Sequence, residues 1–340
     1  MKRLKLTIFL VLLLCGPAWG ATRKVQYVDT DVVGGAVNGS SWANAYPHLS
    51  LWEGQNTNLV TADNYLDVYC RASSGTGDVE ACVISDWTTN ATCNIRIHLD
   101  PNNYHNGVYN SSLYRMAPPD MGTPLTVWQA YTVIDGLQFV GVSGTARMAI
   151  QLSNANLTMC NCILLNFNAA NWGLAIAERE KSGGTQLVYN NIIYNCLVGI
   201  GATPAMGNSM RAYNNTVSGC TTGIKCTYAG ADAALVQIKN NLVKGGTTCY
   251  SLSAAYTTAT NYASDATSPD NGIYDNATIT FVSVSDFHLD STMSGTLLGT
   301  DLSVSFTTDI DGETRASWYA GADEIAATTV ISNWWWRRHH

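Results

Sequence analysis

The chain has 340 residues, a net charge of −7 and only 13% charged side chains. So few cations on an acidic chain disfavour nucleic acid and anionic membrane surfaces as partners, and leave no broad basic groove for an acidic polysaccharide. Sparse charge with abundant Gly, Asn, Ser and Thr suits a turn-rich β protein that carries its polarity on neutral side chains.

Residues 1–20 read as a secretory signal. Lys2, Arg3 and Lys5 form a basic start, Leu6 to Leu14 an apolar core, and Ala18 and Gly20 a small-residue cleavage site before Ala21. The apolar core is too short to span a bilayer, so no transmembrane segment is expected. Leu14 before Cys15 fits a lipid-anchor motif poorly. Nine cysteines then remain, so at least one is unpaired within the chain. Cys70, Cys82 and Cys93 lie close enough for one loop-closing bridge, whereas Cys160 and Cys162 are expected on opposite faces. No cysteine or histidine pair has zinc-ligand spacing.

Residues 21–124 read as an N-terminal cap and irregular early rungs. VQYVD (25–29) is a first strand. SSWANAYPHLSLWEG (40–54) is a short amphipathic helix capping the end of a stack, with LDVYCRA (66–72), CVIS (82–85) and NIRIHLD (94–100) as strands behind it. Residues 101–124 form a polar insertion.

The region 125–252 carries the strongest signal, a block that recurs five times: YTVIDGLQFVG (131–141), LTMCNCILLNF (157–167), QLVYNNIIYNC (186–196), MRAYNNTVSGC (210–220) and VQIKNNLVKGG (236–246). The sixth positions are Gly136, Cys162, Asn191, Asn215 and Asn241, a period of about two dozen residues. A period of this size marks a stacked-repeat architecture. No copy holds enough 3.6-period pattern for a helix, and β-branched runs broken by Asn or Gly read as strand, tight turn, strand. The pattern predicts an all-β, single-stranded, right-handed parallel β-helix. Val133, Met159, Val188, Ala212 and Ile238 should stack inside, and Asn191, Asn215 and Asn241 should form a buried ladder. Ile200, Ile224 and Tyr250 form a further column. Residues 253–325 supply C-terminal rungs, with FVSVSDFHL (281–289) as a last strand and an Asp-Gly turn in DIDGETR (309–315). Residues 326–340 are a tail ending in three tryptophans and RRHH.

The NNIIYNCLVGI and NNTVSGCTTGI rungs resemble secreted right-handed parallel β-helix proteins of the pectate-lyase-like superfamily. YVDTDVVGGAVNGSSWANAY is similar to the N-terminal cap of secreted bacterial β-helix proteins, and DFHLDSTMSG through DIDGETRASWYAGADE resembles the C-terminal segment of choice-of-anchor Q proteins. The resemblance implies the fold and export, and it leaves the chemistry open. Enzymes of this superfamily would imply acid-bound calcium with an Arg base, a Lys and Arg pair, or three clustered Asp. The repeats reproduce none of these motifs.

The densest charge lies in the longest rung, at Glu178, Arg179, Glu180 and Lys181, with Asp232 at a comparable phase two rungs later. Glu178, Arg179, Glu180 and Asp232 are therefore the candidate ligand-binding residues, able to bind a cation or act as acid and base. Tyr189, Tyr213 and Tyr228 offer sugar-stacking faces. No cofactor or metal is expected; calcium is the one ion such loops, or DIDGE, could hold. His98, His105 and His288 read as structural. The sequence therefore points to a secreted or cell-surface protein that binds a polysaccharide or cell-surface glycan without catalysis. A polysaccharide lyase or glycoside hydrolase is the alternative.

Overall fold

A computed structural model describes residues 20–119, 122–141, 148–154, 156–170, 173–178, 184–202, 209–226, 236–253 and 256–325. These wind into a right-handed parallel β-solenoid with three sheets. The long sheet has nine strands, from Thr22–Asp29 and Asn64–Arg71 through Ile95–Leu99, Thr132–Asp135, Leu157–Cys160, Thr185–Tyr189, Ser209–Tyr213 and Val236–Lys239 to Thr257–Ala259. A second sheet of seven strands runs from Arg115–Met116 to Tyr262–Ala263. The third, also of seven, runs from Cys82–Ile84 to Thr248–Leu252. The early strands at 64–71, 82–84 and 95–99 join the same sheets as the regular rungs.

From Thr132–Asp135 onward, each rung passes from the long sheet to the second through one left-handed residue. Gly136, Asn161, Asn190, Asn214 and Asn240 hold this corner at φ of 72°, 54°, 54°, 48° and 53°. L-residues avoid this region because of their Cβ, and Gly and Asn enter it at least cost. A second left-handed column closes the next strand at Asn166, Asn195, Gly219 and Gly245.

Corner geometry also corrects the phase of the first block. Met159 pairs with Ile134, not Val133, and continues through Val188, Ala212 and Ile238. Ile134, Met159, Val188, Ala212 and Ile238 are buried, whereas Val133 faces outward and is half-buried. Both residues are apolar, so hydrophobicity could not choose between them. Gly136 must occupy the left-handed corner, and this shifts the block by one residue. The Ile200–Ile224–Tyr250 column forms as expected and is buried.

Directly after the corners at Asn190, Asn214 and Asn240, and after the left-handed Thr260, an asparagine turns inward, where Leu137 and Cys162 stand in the first two blocks. Asn191 Nδ2 donates to Asn215 Oδ1 at 2.9 Å, Asn215 to Asn241 at 3.0 Å, and Asn241 to Asn261 at 3.0 Å. Each Oδ1 also accepts a backbone N–H from the preceding rung, beginning with Cys162 N to Asn191 at 3.0 Å. Second amide protons go to Met159, Val188, Ala212 and Ile238 carbonyls. All four asparagines are fully buried, so a complete partner set is what makes them tolerable. Asp270 ends the ladder, accepting from Asn261 N and Nδ2 at 2.6 and 3.1 Å. It belongs to a loop over 264–276 that covers the last rung, where Asp265 accepts from Cys249 N and Asp275 from Ser268 N.

At the other end the expected helix is cut short. A 3-10 turn, Trp42–Asn44, precedes Pro47, and a five-residue helix, Leu49–Glu53, follows with His48 as N-cap. The ring of Pro47 prevents one continuous helix. Leu49 and Trp52 are nevertheless buried, and Trp52 stacks on Trp87 at 5.3 Å. A further helix, Leu59–Ala62, lies just before the second strand.

Residues 281–289 do not form a rung. They make a small antiparallel loop held by a Phe281–Leu289 bridge and joined to the insertion by a Val108–Asp286 bridge. From residue 277 onward the chain runs back along the solenoid as a strap. Phe287, Ile310 and Ala322 pack on Ile163, Leu165 and Ile192, while Leu302, Phe306 and Trp318 pack on Tyr213. The outward corner asparagines hold it: Asn190 donates to Thr308 O, Asn214 to Tyr319 O and Asn240 to Thr300 O, at 2.7–2.8 Å. Arg315 is the lock. Its buried guanidinium donates to Asn190 Oδ1 and to the carbonyls of Thr308, Tyr319, Gly321 and Ala322. Burial lowers its pKa to about 10, which leaves it charged at neutral pH. Glu324 accepts from Ala316, Ser317 and Trp318 N–H groups beside it. The DIDGE segment is a hairpin turn closed by a Thr308–Thr314 bridge, with Gly312 at positive φ.

All nine described cysteines are free and buried, so the bridge expected among Cys70, Cys82 and Cys93 is not formed. Burial pushes the Cys70 and Cys82 thiols well up. Cys160 and Cys162 do face opposite sides, because the Asn161 corner lies between them.

Two outcomes follow. Asn215→Ala strips an acceptor from Asn191 N and Nδ2, and should cost about 1–3 kcal/mol in chemical denaturation. Arg315→Ala leaves Asn190 and four carbonyls short of a donor. Hydrogen exchange should then rise across 298–325 while the 185–250 rungs keep their protection.

Candidate functional site

The outer face of the long sheet carries a groove of about 520 Å³. Parallel pairing puts equivalent side chains side by side on this face. One outward row runs Tyr69, His98, Asp135, Cys160, Tyr189; a second runs Asp67, Arg96, Val133, Thr158. Asn94, Tyr131, Asn156 and Asn161 border the groove, and Thr308 of the strap closes one side.

Its centre is a charge relay across three rungs. His98 Nε2 lies 3.4 Å from Asp67 Oδ1, and His98 Nδ1 lies 3.3 Å from Asp135 Oδ2. Arg23 Nε binds the other oxygen of Asp67 at 2.5 Å and Arg23 Nη2 donates to the Tyr69 hydroxyl at 2.6 Å. Asn161 Nδ2 donates to Asp135 Oδ1 at 2.8 Å. Arg96 sits over the Tyr65 ring at 5.0 Å and donates to Asn94. Burial pushes the Asp135 carboxyl up, but hydrogen bonds from His98 and Asn161 outweigh it and hold the group below its ordinary range. Burial raises the adjacent Cys160 thiol well above its ordinary value, so it offers no thiolate.

The groove can therefore present the His98 imidazole, the Asp135 carboxylate, the Arg96 guanidinium, several amides and the Tyr131 and Tyr189 rings, with Asp67 and Arg23 bonded alongside His98 beyond its lining. A second groove of about 500 Å³ lies on the flank between Tyr194, Lys244, Phe281, Val284 and Phe287. It is mostly apolar, and Lys244 is the one charged side chain among its described lining residues.

The residues singled out from sequence lie elsewhere. Glu178 ends a strand of the third sheet, its backbone paired with Leu152 and Ala202. Arg179, Glu180 and Asp232 lie outside the described residues, as do Lys181 and Tyr228. Tyr213 is no exposed sugar platform: it is 3% exposed beneath the strap, and Tyr189 stacks on Phe306 at 4.3 Å while keeping one side toward the groove. His98, Asp67 and Asp135 are brought together instead. Separations of 31 and 37 residues hid them, because the early rungs are irregular in length. The usable signal was the outward phase of Asp67 and His98 in their strands.

No family model matches the chain, and no match was found among curated proteins or solved structures. No helix among the described residues is long and apolar enough to cross a membrane.

A further outcome concerns Asp135. His98→Ala combined with Asn161→Gly keeps the left-handed corner but removes the two stronger donors, leaving only the weak Cys160 thiol at 3.6 Å. Burial, the largest influence, then outweighs that thiol, so the Asp135 pKa should rise above the usual carboxylate value. Carboxyl-carbon NMR across a pH titration reads it directly. In the wild type the linked stability is present above the ordinary carboxylate pKa and is lost as pH falls through the lower folded value. In the variant that acid-side loss should vanish.

Proposed function

We propose that this is a secreted or cell-surface β-helix protein that binds neutral or weakly charged glycans in the long-sheet groove and does not cleave them. The carrying observation is that the carboxylates at the groove are already paired, Asp67 with Arg23 and His98 and Asp135 with His98, while Arg96 is held by the neutral Asn94 and Tyr65, so two guanidinium groups offset two carboxylates. Such a site has no net charge to spend on an ionic ligand. Its amides and fixed polar groups suit hydroxyl-rich rings, and its tyrosines supply apolar faces. Export rests on the signal-like first twenty residues, and the superfamily and anchor-like resemblances support the same surface placement.

A panel of polysaccharides, screened for binding and for released reducing ends or unsaturated sugars together, tests this. At least one neutral polysaccharide should bind. Arg96→Ala should weaken it tenfold or more without lowering the melting temperature, His98→Gln should weaken it as much in protein that remains folded, and no product should appear. Absence of binding across the panel would overturn the proposal.

One observation favours catalysis as the second reading: an imidazole fixed between two carboxylates in a groove is a set of groups able to move protons. Product release lost in Asp135→Asn or His98→Gln would establish a lyase or hydrolase at the groove. Loss in Glu178→Gln or Asp232→Asn would place it on the loops instead, with Arg179 and Glu180 as neighbours and calcium as the ion to add.

A further inference from the structure

The strap gathers a second polar cluster, remote in sequence from the groove residues. His288 comes from the 281–289 loop, Asp311 from the Asp-Gly hairpin and Asp323 from the end of the strap. One donor atom from each lies within 4.8 Å of the other two. The imidazole is already oriented. Nδ1 bonds Asp286 Oδ1 at 2.5 Å, which turns Nε2 toward Asp311 Oδ2 at 3.0 Å. A histidine that ligates a metal usually donates its other ring N–H to a carboxylate, and Asp286 supplies that support here.

Two further observations point to an ion. Asp323 is 6% exposed, and its Oδ2 accepts from Leu289 N at 2.8 Å. That single backbone donor leaves the Asp323 carboxylate with lone pairs to spare beside the imidazole. Gly107, at φ +68°, lines the cluster. A Cβ there would stand 2.3 Å from His288 Nε2 and 3.0 Å from Asp311 Oδ1, so the backbone closes one wall where a side chain would fill the space. Three carboxylates therefore surround one imidazole, with the Arg315 guanidinium as the nearby cation.

We propose that His288 Nε2, Asp311 and Asp323 form a divalent transition-metal site of the zinc class, with water completing the shell and Asp286 orienting the histidine. The donor set of one imidazole and two carboxylates suits zinc better than calcium, which takes oxygen ligands almost alone. Its ligands come from three separate stretches of the strap, so the ion ties them into one clasp over the second sheet. Binding exchanges the imidazole proton for the ion.

Zinc titrated into chelator-treated full-length protein tests the site, with His339→Gln and His340→Gln included to remove the terminal histidines as competitors. One zinc should bind per chain, and the strap region should gain protection from hydrogen exchange. Cobalt in place of zinc should give visible d–d bands. His288→Gln should lose at least a hundredfold in affinity, Asp323→Asn should lose the bands, and Asp286→Asn should weaken binding roughly tenfold to a hundredfold. Thermal melts of the metal-free variants separate misfolding from loss of ligands. No stoichiometric zinc, or zinc binding unchanged in folded His288→Gln and Asp323→Asn proteins, would overturn the proposal.

Discussion

The structure depends on one constraint: each rung must turn from the long sheet into the second through a single left-handed residue. A one-residue corner reverses the side-chain phase, so the residue before it faces out and the residue after it faces in. That alone places the two adjacent asparagines of the last three blocks on opposite faces. The outward one adopts the corner backbone, as at Asn190, Asn214 and Asn240. The inward one must satisfy a full amide in an apolar interior. Stacking at the strand spacing solves both problems together, because each inward amide finds its partner one rung away. Neither solution works for an isolated rung, which is why the fold is cooperative along its axis.

The outward column then decides where the C-terminal strap goes. Corner asparagines expose one carbonyl and one amide per rung, at a fixed interval, along a line parallel to the axis. The strap supplies a backbone partner to each, Thr308 to Asn190, Tyr319 to Asn214 and Thr300 to Asn240. Arg315 joins the two systems, since it binds Asn190 and the strap carbonyls at once. A guanidinium with no solvent contact is tolerable only because every donor direction has an acceptor. The strap in turn covers Tyr213 and brackets the groove through Thr308, so the same corner column also limits which part of the outer face stays open.

Much of this was legible in the chain. Paired asparagines at a steady period carried the fold, the ladder and the interior column from Met159 onward. The first block was misphased because Val133 and Ile134 are equally apolar, and only the left-handed requirement at Gly136 separates them. Asn261 escaped because its rung is 20 residues long and is followed by no recognisable block, yet it ends the ladder. Residues 281–289 alternate like a strand, but nothing in local alternation distinguishes a rung from a loop lying on a rung. The groove was hidden for a related reason. His98 meets Asp67 and Asp135 through lateral pairing, and lateral pairing is visible in sequence only where rung length is constant.

The inward ladder has a direction. Every side-chain amide from Asn191 to Asn261 accepts from the N-terminal side and donates one proton toward the C-terminal end, its other proton going back to a carbonyl of the preceding rung. The amide dipoles therefore add along the axis, as peptide dipoles do in a helix, although a β-sheet has almost no net dipole of its own. The positive end of this chain of dipoles meets a carboxylate, Asp270, at the point where the rungs stop. The solenoid thus carries a polar wire through an apolar interior, terminated by a counter-charge. Aligned hydrogen bonds polarise one another, so the far end of the wire at Cys162 is electrically coupled to a loop four rungs away.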